Sequence, residues 1–208
     1  ICKKNNILHL FLGHHFDDNL ETYLMRKING SNLDGLESIN KTAYFKNIQI
    51  LRPLIAIDKK SILNFNKKNK LDFINDPSNK DLNYTRVKLR NFLQNNKHKR
   101  EIEKEFLNIK KQIPNYKKMI WETLIENLIH VSATKIKISF NNLMKLDNLI
   151  IEKHILCLLK FFNKNKARTK SSKIIILIDI LRKPSFKTFN LSGINIKKNS
   201  DFLIFSQK

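Results

Sequence analysis

The order of hydrophobic and polar residues changes character several times along the first ninety positions. A short apolar run at 7–12 ends at a glycine and predicts a buried strand of a parallel sheet. Apolar side chains then recur at three- and four-residue steps and predict a helix over about 17–28. A second strand is predicted at Ile48–Leu51, and a helix capped by Asp58 is predicted to continue to about Asn69. Strands and helices that alternate at this spacing predict an open α/β sheet.

Beyond residue 82 the spacing of apolar side chains becomes helical, after a short extended segment predicted at 71–74. Two strands that would form a small hairpin are predicted near the end of the chain, at Thr188–Leu191 and 202–205. The chain is therefore predicted to have three parts: an α/β domain at 1–93, a basic and mainly helical region at 94–185, and a short β segment at 186–208.

The composition excludes several classes of protein. Hydrophobic residues make up 41% of the 208 positions, which favours a folded core over a disordered chain. The two cysteines, Cys2 and Cys157, are far apart in the sequence, as is typical of reduced thiols in the cytoplasm. No apolar run approaches the ~20 residues of a membrane span, and we expect no secretion leader. We therefore expect a cytoplasmic protein without a membrane partner.

The net charge is strongly positive, because 40 Lys and Arg residues outnumber 18 Asp and Glu residues and give a formal charge of +22. Such a basic surface favours an anionic partner, either a nucleic acid or a membrane surface. A second cause stays open, since 33 lysines and 27 asparagines against 4 alanines are also what coding drift in an AT-rich genome produces. The positions of the rarer residues are therefore more informative than those of the lysines.

The rarer residues gather directly after the first predicted strand. Two histidines and three carboxylates share eight positions: His14, His15, Asp17, Asp18 and Glu21. Ligands of open α/β sheets bind beyond the carboxyl ends of the strands, where this cluster lies. Asp18 and Glu21 share one helix face, and carboxylates so close favour a cation between them, either Mg²⁺ or an ammonium group. The alternative is that the aspartates only stabilise the start of the helix.

Four of the seven arginines also occur in the first ninety residues: Arg26, Arg52, Arg86 and Arg90. In a chain that otherwise uses lysine, an arginine indicates that a planar fork is required, as for a phosphate or a carboxylate. Arg86 and Arg90 are four positions apart, so one helix face presents both. Structural pairing with Asp76 or Asp81 is the alternative.

Four short motifs connect these residues. They read HHFDDNLETYLMR at 14–26, Gly-Ser and Gly-Leu pairs at 30–31 and 35–36, RPL at 52–54, and DPSN at 76–79 followed by Tyr84, Arg86 and Arg90. The first resembles the HHxDDxxETxLxR signature of the bacterial tRNA(Ile)-lysidine synthase family. The others resemble its RGSGxxGL, RPL and DPSNxxxxYxRNxxR segments. Order and spacing agree over about residues 1–92, and a weaker likeness to the family's C-terminal region occurs at 186–205.

This resemblance implies an ATP pyrophosphatase of the N type, whose residues 1–93 form the C-terminal part of a Rossmann-like PP-loop domain with an open parallel sheet. Members of the family use ATP to adenylate O2 of the wobble cytidine in the isoleucine tRNA with a CAU anticodon. The ε-amino group of free L-lysine then attacks C2 and displaces AMP. The expected substrates and partners are thus ATP with Mg²⁺, this tRNA and free L-lysine, and the family is compatible with a homodimer.

The resemblance also assigns roles to residues of this chain. Asp18 and Glu21 would hold the lysine ammonium or Mg²⁺, whereas Arg86 and Arg90 would stabilise phosphate or developing negative charge. Two histidines, His14 and His15, would orient the nucleotide or move a proton. The remaining candidates for substrate binding are Asp17, Gly30, Ser31, Arg52, Asp76 and Asn79.

The sequence departs from the family pattern in three ways. The nucleotide-binding SGGxDS loop of the family does not occur in residues 1–208, and the chain begins at Ile1 without an initiator methionine. We therefore expect a piece of a longer enzyme that by itself neither binds ATP well nor turns over. Asn29 and Asn32 stand where the family has Arg and Gly, and Val87 stands where it has Asn. These changes weaken single contacts.

Two other functions remain open from the sequence. A metal-dependent phosphoesterase would use His14, His15, Asp17 and Asp18 as ligands, and a non-catalytic RNA-binding module would explain the charge but not the carboxylates. If the partner is tRNA, phosphate contacts are expected in region 94–185, above all in one basic cluster. That cluster consists of Lys160, Lys164, Lys166, Arg168, Lys170 and Lys173. A solvated basic turn is the alternative for this segment.

Overall fold

The computed structural model describes residues 1–2, 4–74, 83–95, 97–162 and 169–207. The chain forms two compact units, Ile1–Pro114 and Asn115–Lys208. These bounds differ from those of the three predicted segments, because strands from both ends of the second unit share one sheet. In the described residues, no helix combines the length and the apolar content that crossing a bilayer requires.

The first unit contains a small mixed sheet. Its described strands are β1 (His9–Phe11), β2 (Thr42–Phe45) and β3 (Ile48–Leu51), in the order β1-β3-β2. β1 and β3 run parallel, whereas β2 and β3 form an antiparallel hairpin. Both predicted strands and the α/β character are confirmed, but the hairpin strand β2 was not predicted. The sheet is therefore mixed in the part of the chain that the structure describes.

The expectation that the first strand is buried is wrong. All three residues of β1 are exposed, with 65% of Phe11 accessible to solvent. Burial requires a neighbouring element over each face and edge, and β1 is an edge strand of the described sheet. The extended segment predicted at 71–74 is likewise not part of a strand.

The helices of the first unit are α1 (Phe16–Ile28), α2 (Leu33–Leu36), α3 (Lys59–Lys68), α4 (Thr85–Asn95) and the first part of α5 (Lys99–Asn127). The helices predicted at 17–28 and 58–69 are confirmed as α1 and α3, and Asp58 is the N-cap of α3. α1 packs against α4. Six buried side chains form the core there: Leu20, Tyr23, Leu24, Leu89, Leu93 and Phe106. This core places the start of α1 beside the helix that carries two of the candidate arginines.

The second unit is an antiparallel sheet covered by helices on one face. The strands are β4 (Leu128–Val131), β5 (Lys135–Ser139), β6 (Thr188–Leu191), β7 (Ile194–Asn199) and β8 (Phe202–Gln207), in the order β4-β5-β8-β7-β6. The helices are α6 (Phe140–Met144), α7 (Asn148–Phe162) and α8 (Ser171–Leu181). Apolar side chains of α7 and α8 share one core with Ile136, Leu203 and Phe205 of the sheet.

The prediction of a mainly helical region that ends in a small hairpin is only partly right. β6 and β8 occur where they were predicted, but β7 lies between them, and β4 and β5 fall inside the region predicted as helical. The alternation of lysine and isoleucine in β5 is a strand pattern that buries Ile136 and Ile138 on one face. This segment is short and follows a helix of 29 residues, so helical spacing dominates its surroundings in the sequence.

Candidate active site

A cavity of about 890 Å³ opens in the first unit and is lined by the loop after β1, by α1 and by the start of α4. Its lining includes four of the predicted catalytic residues and one further motif residue: His14, Asp18, Arg86, Arg90 and Tyr84. The two motif segments that contribute them are far apart in the sequence, and the packing of α1 against α4 brings them to one cavity. A volume of this size suits a ligand as large as a nucleotide.

The start of α1 is a capping box formed by two of the predicted catalytic residues. His15 is the N-cap, and its Nδ1 accepts a hydrogen bond from the Asp18 backbone N–H at 3.4 Å. In return, Asp18 Oδ2 accepts from the His15 backbone N–H at 3.0 Å. The His15 ring therefore serves to begin the helix. His14 differs, because it lines the cavity and its buried Nδ1 has no hydrogen-bond partner among the described residues.

Glu21 is held by Arg90 in a buried ion pair. The Nε–H of Arg90 donates to Oε1 at 2.7 Å, and Nη2 donates to Oε2 at 3.4 Å. The Glu21 side chain is 1% exposed and that of Arg90 is 19% exposed. The hydrogen bond to Glu21 and the nearby carboxylates raise the pKa of Arg90 further above its ordinary value, although burial opposes this. Arg90 Nη2 also lies 4.0 Å from Asp18 Oδ1, so one guanidinium faces two carboxylates.

This arrangement does not fit a magnesium ion held by Asp18 and Glu21. Both oxygens of Glu21 accept hydrogen bonds from Arg90, and one oxygen of Asp18 accepts from the backbone of His15. In the part of the chain that the structure describes, no three His, Cys, Asp or Glu side chains are grouped so that they could hold a metal ion. The geometry therefore also gives no support to a phosphoesterase with four metal ligands in this cluster.

Asp17 connects α1 to α3. Its Oδ2 accepts from the backbone N–H of Lys59, the first residue of α3, at 2.8 Å, and its Oδ1 lies 3.7 Å from Lys99 Nζ. Asp17, Lys60 and Lys99 also line two further cavities of about 380 and 640 Å³. The lysines were not predicted as site residues, because a single lysine does not stand out in a chain that has 33 of them. Only the fold shows their proximity to Asp17.

Two of the four arginines noted in the sequence bind backbone carbonyls. Arg26 Nη1 donates to Gly35 O at 2.6 Å and to Ser38 O at 3.2 Å, so it fixes α2 and the loop that follows it. The interpretation of Arg26 as a fork for a phosphate or a carboxylate is therefore wrong. Arg52 Nη1 donates to Asn40 O at 2.9 Å, while its Nε is buried and has no hydrogen bond within the described residues.

Gly30 and Ser31 end α1. Gly30 has φ +66°, which favours glycine, and its N–H donates to Lys27 O at 3.0 Å. The Ser31 N–H donates to Arg26 O at 2.9 Å, which completes the hydrogen bonds of a Schellman cap. Neither residue lines the cavity of 890 Å³. Their observed role is local, and substrate binding by them stays a prediction.

Several predicted site residues lie outside the described residues: Asp76, Asn79, Lys164, Lys166 and Arg168. The other members of the basic cluster are exposed, with Lys160 in the last turn of α7 and Lys170 and Lys173 at the start of α8. Contact between these three lysines and RNA stays a prediction.

Comparison with known proteins shows what the first unit is similar to. Residues 1–97 match the family model described as the PP-loop domain. Curated relatives that cover nearly the whole chain carry the name tRNA(Ile)-lysidine synthase, and the resemblance found in the sequence is thereby confirmed.

Three of these relatives show how far the similarity extends. The protein of Wolbachia pipientis wMel is 29% identical over 98% of this chain, and the match covers 48% of that protein. The protein of Francisella tularensis subsp. holarctica is 36% identical over 80% of this chain and 41% of its own length. For Mycoplasma mycoides subsp. mycoides the identity is 28%, over 84% of this chain and 42% of the relative. The chain thus spans about half the length of the curated relatives it matches.

Proposed function

We propose that this chain provides the lysine-transfer site of a tRNA(Ile)-lysidine synthase. In the first step, O2 of the wobble cytidine in the CAU-anticodon isoleucine tRNA attacks the α-phosphorus of ATP, and pyrophosphate leaves. In the second step, the ε-nitrogen of free L-lysine bonds to C2, and the bond between C2 and the adenylate oxygen breaks to release AMP. The amine loses protons as the new C–N bond forms.

The observation that carries the proposal is the cavity of 890 Å³ in which Asp18, Arg86 and Arg90 face the same space. Two guanidinium groups in one cavity suit the phosphate of the adenylated cytidine and of the departing AMP. Asp18 lines the cavity, with its Oδ1 4.0 Å from Arg90 Nη2, and is proposed to bind the lysine ammonium. His14 is proposed to accept a proton from the amine, since its Nδ1 has no partner among the described residues.

Glu21 is given a different role from the one suggested by the family motif. Because it is buried and bound by Arg90 at two points, we propose that it positions the Arg90 guanidinium instead of contacting lysine itself. Asp17 is proposed as a second positioning residue, since it anchors the first residue of α3 next to the cluster. Substrate contacts by Arg52, Gly30 and Ser31 are retained only as predictions from the motifs.

ATP binding requires more than the residues of this cavity. The PP-loop class uses ATP, and we propose that the mixed sheet of the first unit is the C-terminal part of the larger parallel sheet of a Rossmann-like domain. An SGGxDS loop is not present in residues 1–208. We therefore propose that catalysis needs a longer chain that supplies the loop, and that Mg²⁺ enters with ATP. We also propose that the enzyme works in the cytoplasm. The expected assembly is a homodimer.

The proposal is tested in a protein extended to the length of its relatives. The variant Asp18→Asn is compared with Asp72→Asn, which removes one exposed carboxylate outside the cavity. Incorporation of labelled lysine into the tRNA, dependent on ATP, is measured. We expect Asp18→Asn to lower the rate by about a hundredfold or more and to raise the KM for lysine, with Asp72→Asn close to wild type. Equal rates in both variants would refute the role of Asp18, and no lysine incorporation by the wild type would refute the function.

A further inference from the structure

One face of the sheet in the second unit carries lysines and no carboxylate. Strands β4 to β8 together contain four lysines and no Asp or Glu. Successive side chains of a strand point to opposite faces, and the buried isoleucines, leucines and phenylalanines of these strands pack in the helical core. Their neighbours therefore form the opposite face, here named the outer face. Its main residues are Lys135, Lys137, Asn195, Lys197, Phe202 and Ser206.

The strand register brings the lysines of the outer face together. Lys137 of β5 and Lys197 of β7 both pair with Ile204 of β8, one on each side of it. Their backbones are thus separated by two strand spacings, or roughly 10 Å. Lys135 lies two positions from Lys137 on the same face and pairs with Ser206. The three ammonium groups therefore belong to one continuous positive surface.

The outer face also offers groups that suit bases. Phe202 is partly exposed, and the Lys137 ammonium lies 3.5 Å from the centroid of its ring. This cation–π contact keeps the charge close to the sheet surface and beside an aromatic group. Asn195, whose Oδ1 accepts from Thr188 Oγ1 at 2.8 Å, adds an amide on the same face. Aromatic rings and amides next to cations are the groups by which sheet surfaces bind unpaired bases and phosphates of RNA.

We propose that the outer face of this sheet binds RNA, with Lys135, Lys137 and Lys197 in contact with phosphates and Phe202 against a base. The charge complementarity between the three lysines of this face and a polyanion is the main argument. Amide and hydroxyl groups on this face favour RNA over an anionic lipid surface, to which they would contribute little. The identity of the RNA as tRNA rests on the proposed function, whereas binding itself does not.

The test compares two triple variants of the chain with equal net charge. The face variant combines Lys135→Glu, Lys137→Glu and Lys197→Glu. The control variant combines Lys118→Glu, Lys145→Glu and Lys183→Glu, at exposed lysines of the second unit outside its strands. Binding of a CAU-anticodon isoleucine tRNA transcript is measured by fluorescence anisotropy from 50 to 300 mM salt (roughly the range over which phosphate contacts are screened).

We expect the face variant to lose about tenfold or more in affinity and its salt slope to fall by about 2 to 3, as three phosphate contacts predict. The affinity of the control variant for the tRNA should stay within about threefold of the wild-type affinity, since only the general charge changes. Equal losses in both variants, or none in the face variant, would overturn the proposal. Binding of phosphatidylserine vesicles without binding of RNA would overturn it as well.

A milder variant and a second readout distinguish lost RNA contacts from lost folding or lost catalysis. The triple exchange of the same lysines for glutamine keeps the side chains polar, and thermal unfolding followed by circular dichroism shows whether each variant is folded. Lysidine formation by the longer enzyme is measured independently. If the outer face binds tRNA but the longer enzyme forms no lysidine, only the proposed function is refuted. If the enzyme is active but the face variant binds tRNA as tightly as wild type, only the inference about the outer face is refuted.

Discussion

Arg90 binds Glu21 through two hydrogen bonds, at 2.7 and 3.4 Å, although the two residues are 69 positions apart in the chain. Glu21 is almost fully buried on α1, and Arg90 reaches it from α4 while lining the candidate active site. The pair therefore joins two motifs and fixes the direction of a guanidinium in the cavity. Both carboxylate oxygens are engaged, which makes Glu21 a support for Arg90 rather than a free acid.

Removal of Arg90 should destabilise the first unit. Arg90→Ala leaves the buried Glu21 carboxylate without its partner, and we expect a loss of about 3 kcal/mol in the free energy of unfolding. The measurement is urea unfolding followed by circular dichroism at 222 nm. The control is Lys88→Ala, at an exposed position of the same helix, which should change stability by less than about 0.5 kcal/mol. A loss below about 1 kcal/mol for Arg90→Ala would show that the pair is not stabilising.

Removal of Arg86 should lower activity but leave the stability of the first unit unchanged. This arginine is exposed at the start of α4 and lines the cavity, so Arg86→Ala should leave the free energy of unfolding within about 0.5 kcal/mol of wild type. In the longer enzyme the same change should lower lysidine formation by about a hundredfold, because it removes the guanidinium that we propose binds phosphate. Steady-state rates of lysine incorporation check the second part. Arg86→Lys, which keeps the charge but not the fork, should recover only part of the rate.

Asn19 should be essential for the fold of the loop that follows α2. Its side chain is buried, donates from Nδ2 to Ile39 O at 3.1 Å and accepts from Ile39 N–H at 2.8 Å. Asn19→Ala removes the partner of the Ile39 N–H, whereas Ile39 O still accepts from Lys110 Nζ at 3.1 Å, and we expect a loss of about 1–3 kcal/mol in unfolding free energy. Asn64→Ala, at an exposed position inside α3, should be neutral or slightly stabilising. If both variants unfold at the same urea concentration, the Asn19 contacts contribute nothing.

The stability of the second unit should fall in mild acid because of His154. This histidine is fully buried on α7, with Nε2 3.1 Å from Ile120 O, and its Nδ1 has no hydrogen bond within the described residues. Burial lowers the pKa of His154 below its ordinary value, although the hydrogen bond to Ile120 opposes this. Above about pH 6.5 the ring is neutral in both states, so its effect is absent. Below that pH the unfolded chain binds a proton that the folded chain excludes, and stability decreases until the lowered folded pKa is reached.

The pH effect is measured through Trp121, the single tryptophan of the chain, which precedes α7 on helix α5. The free energy of unfolding from urea titrations between about pH 5 and 8 should decline on the acid side by up to about 1.4 kcal/mol per pH unit. His154→Gln should reduce this slope, whereas His130→Gln, at an exposed position of β4, should retain it. A slope unchanged by His154→Gln would assign the acid sensitivity to other groups.

Much of the first unit was predictable from local patterns. The helix over 17–28, the strand at Ile48–Leu51 and the cap at Asp58 follow from apolar spacing and from N-cap chemistry, both of which act between residues close in the chain. The motif at 14–26 likewise indicates the candidate site by its residue types and their spacing. Strands β2, β4, β5 and β7 were missed, because short strands owe their stability to partners elsewhere in the sequence.

The separate roles of the side chains inside the site were not predictable. The sequence alone determined which residue types occur near the site, the α1 and α3 helices that carry some of them, and the likeness to a tRNA(Ile)-lysidine synthase. Only the tertiary structure decided that Glu21 is bound by Arg90 and that Arg26 binds carbonyls. The physical reason is that a side chain's partner depends on distance in space and on burial. A motif records neither, whereas the packing of α1 against α4 sets both.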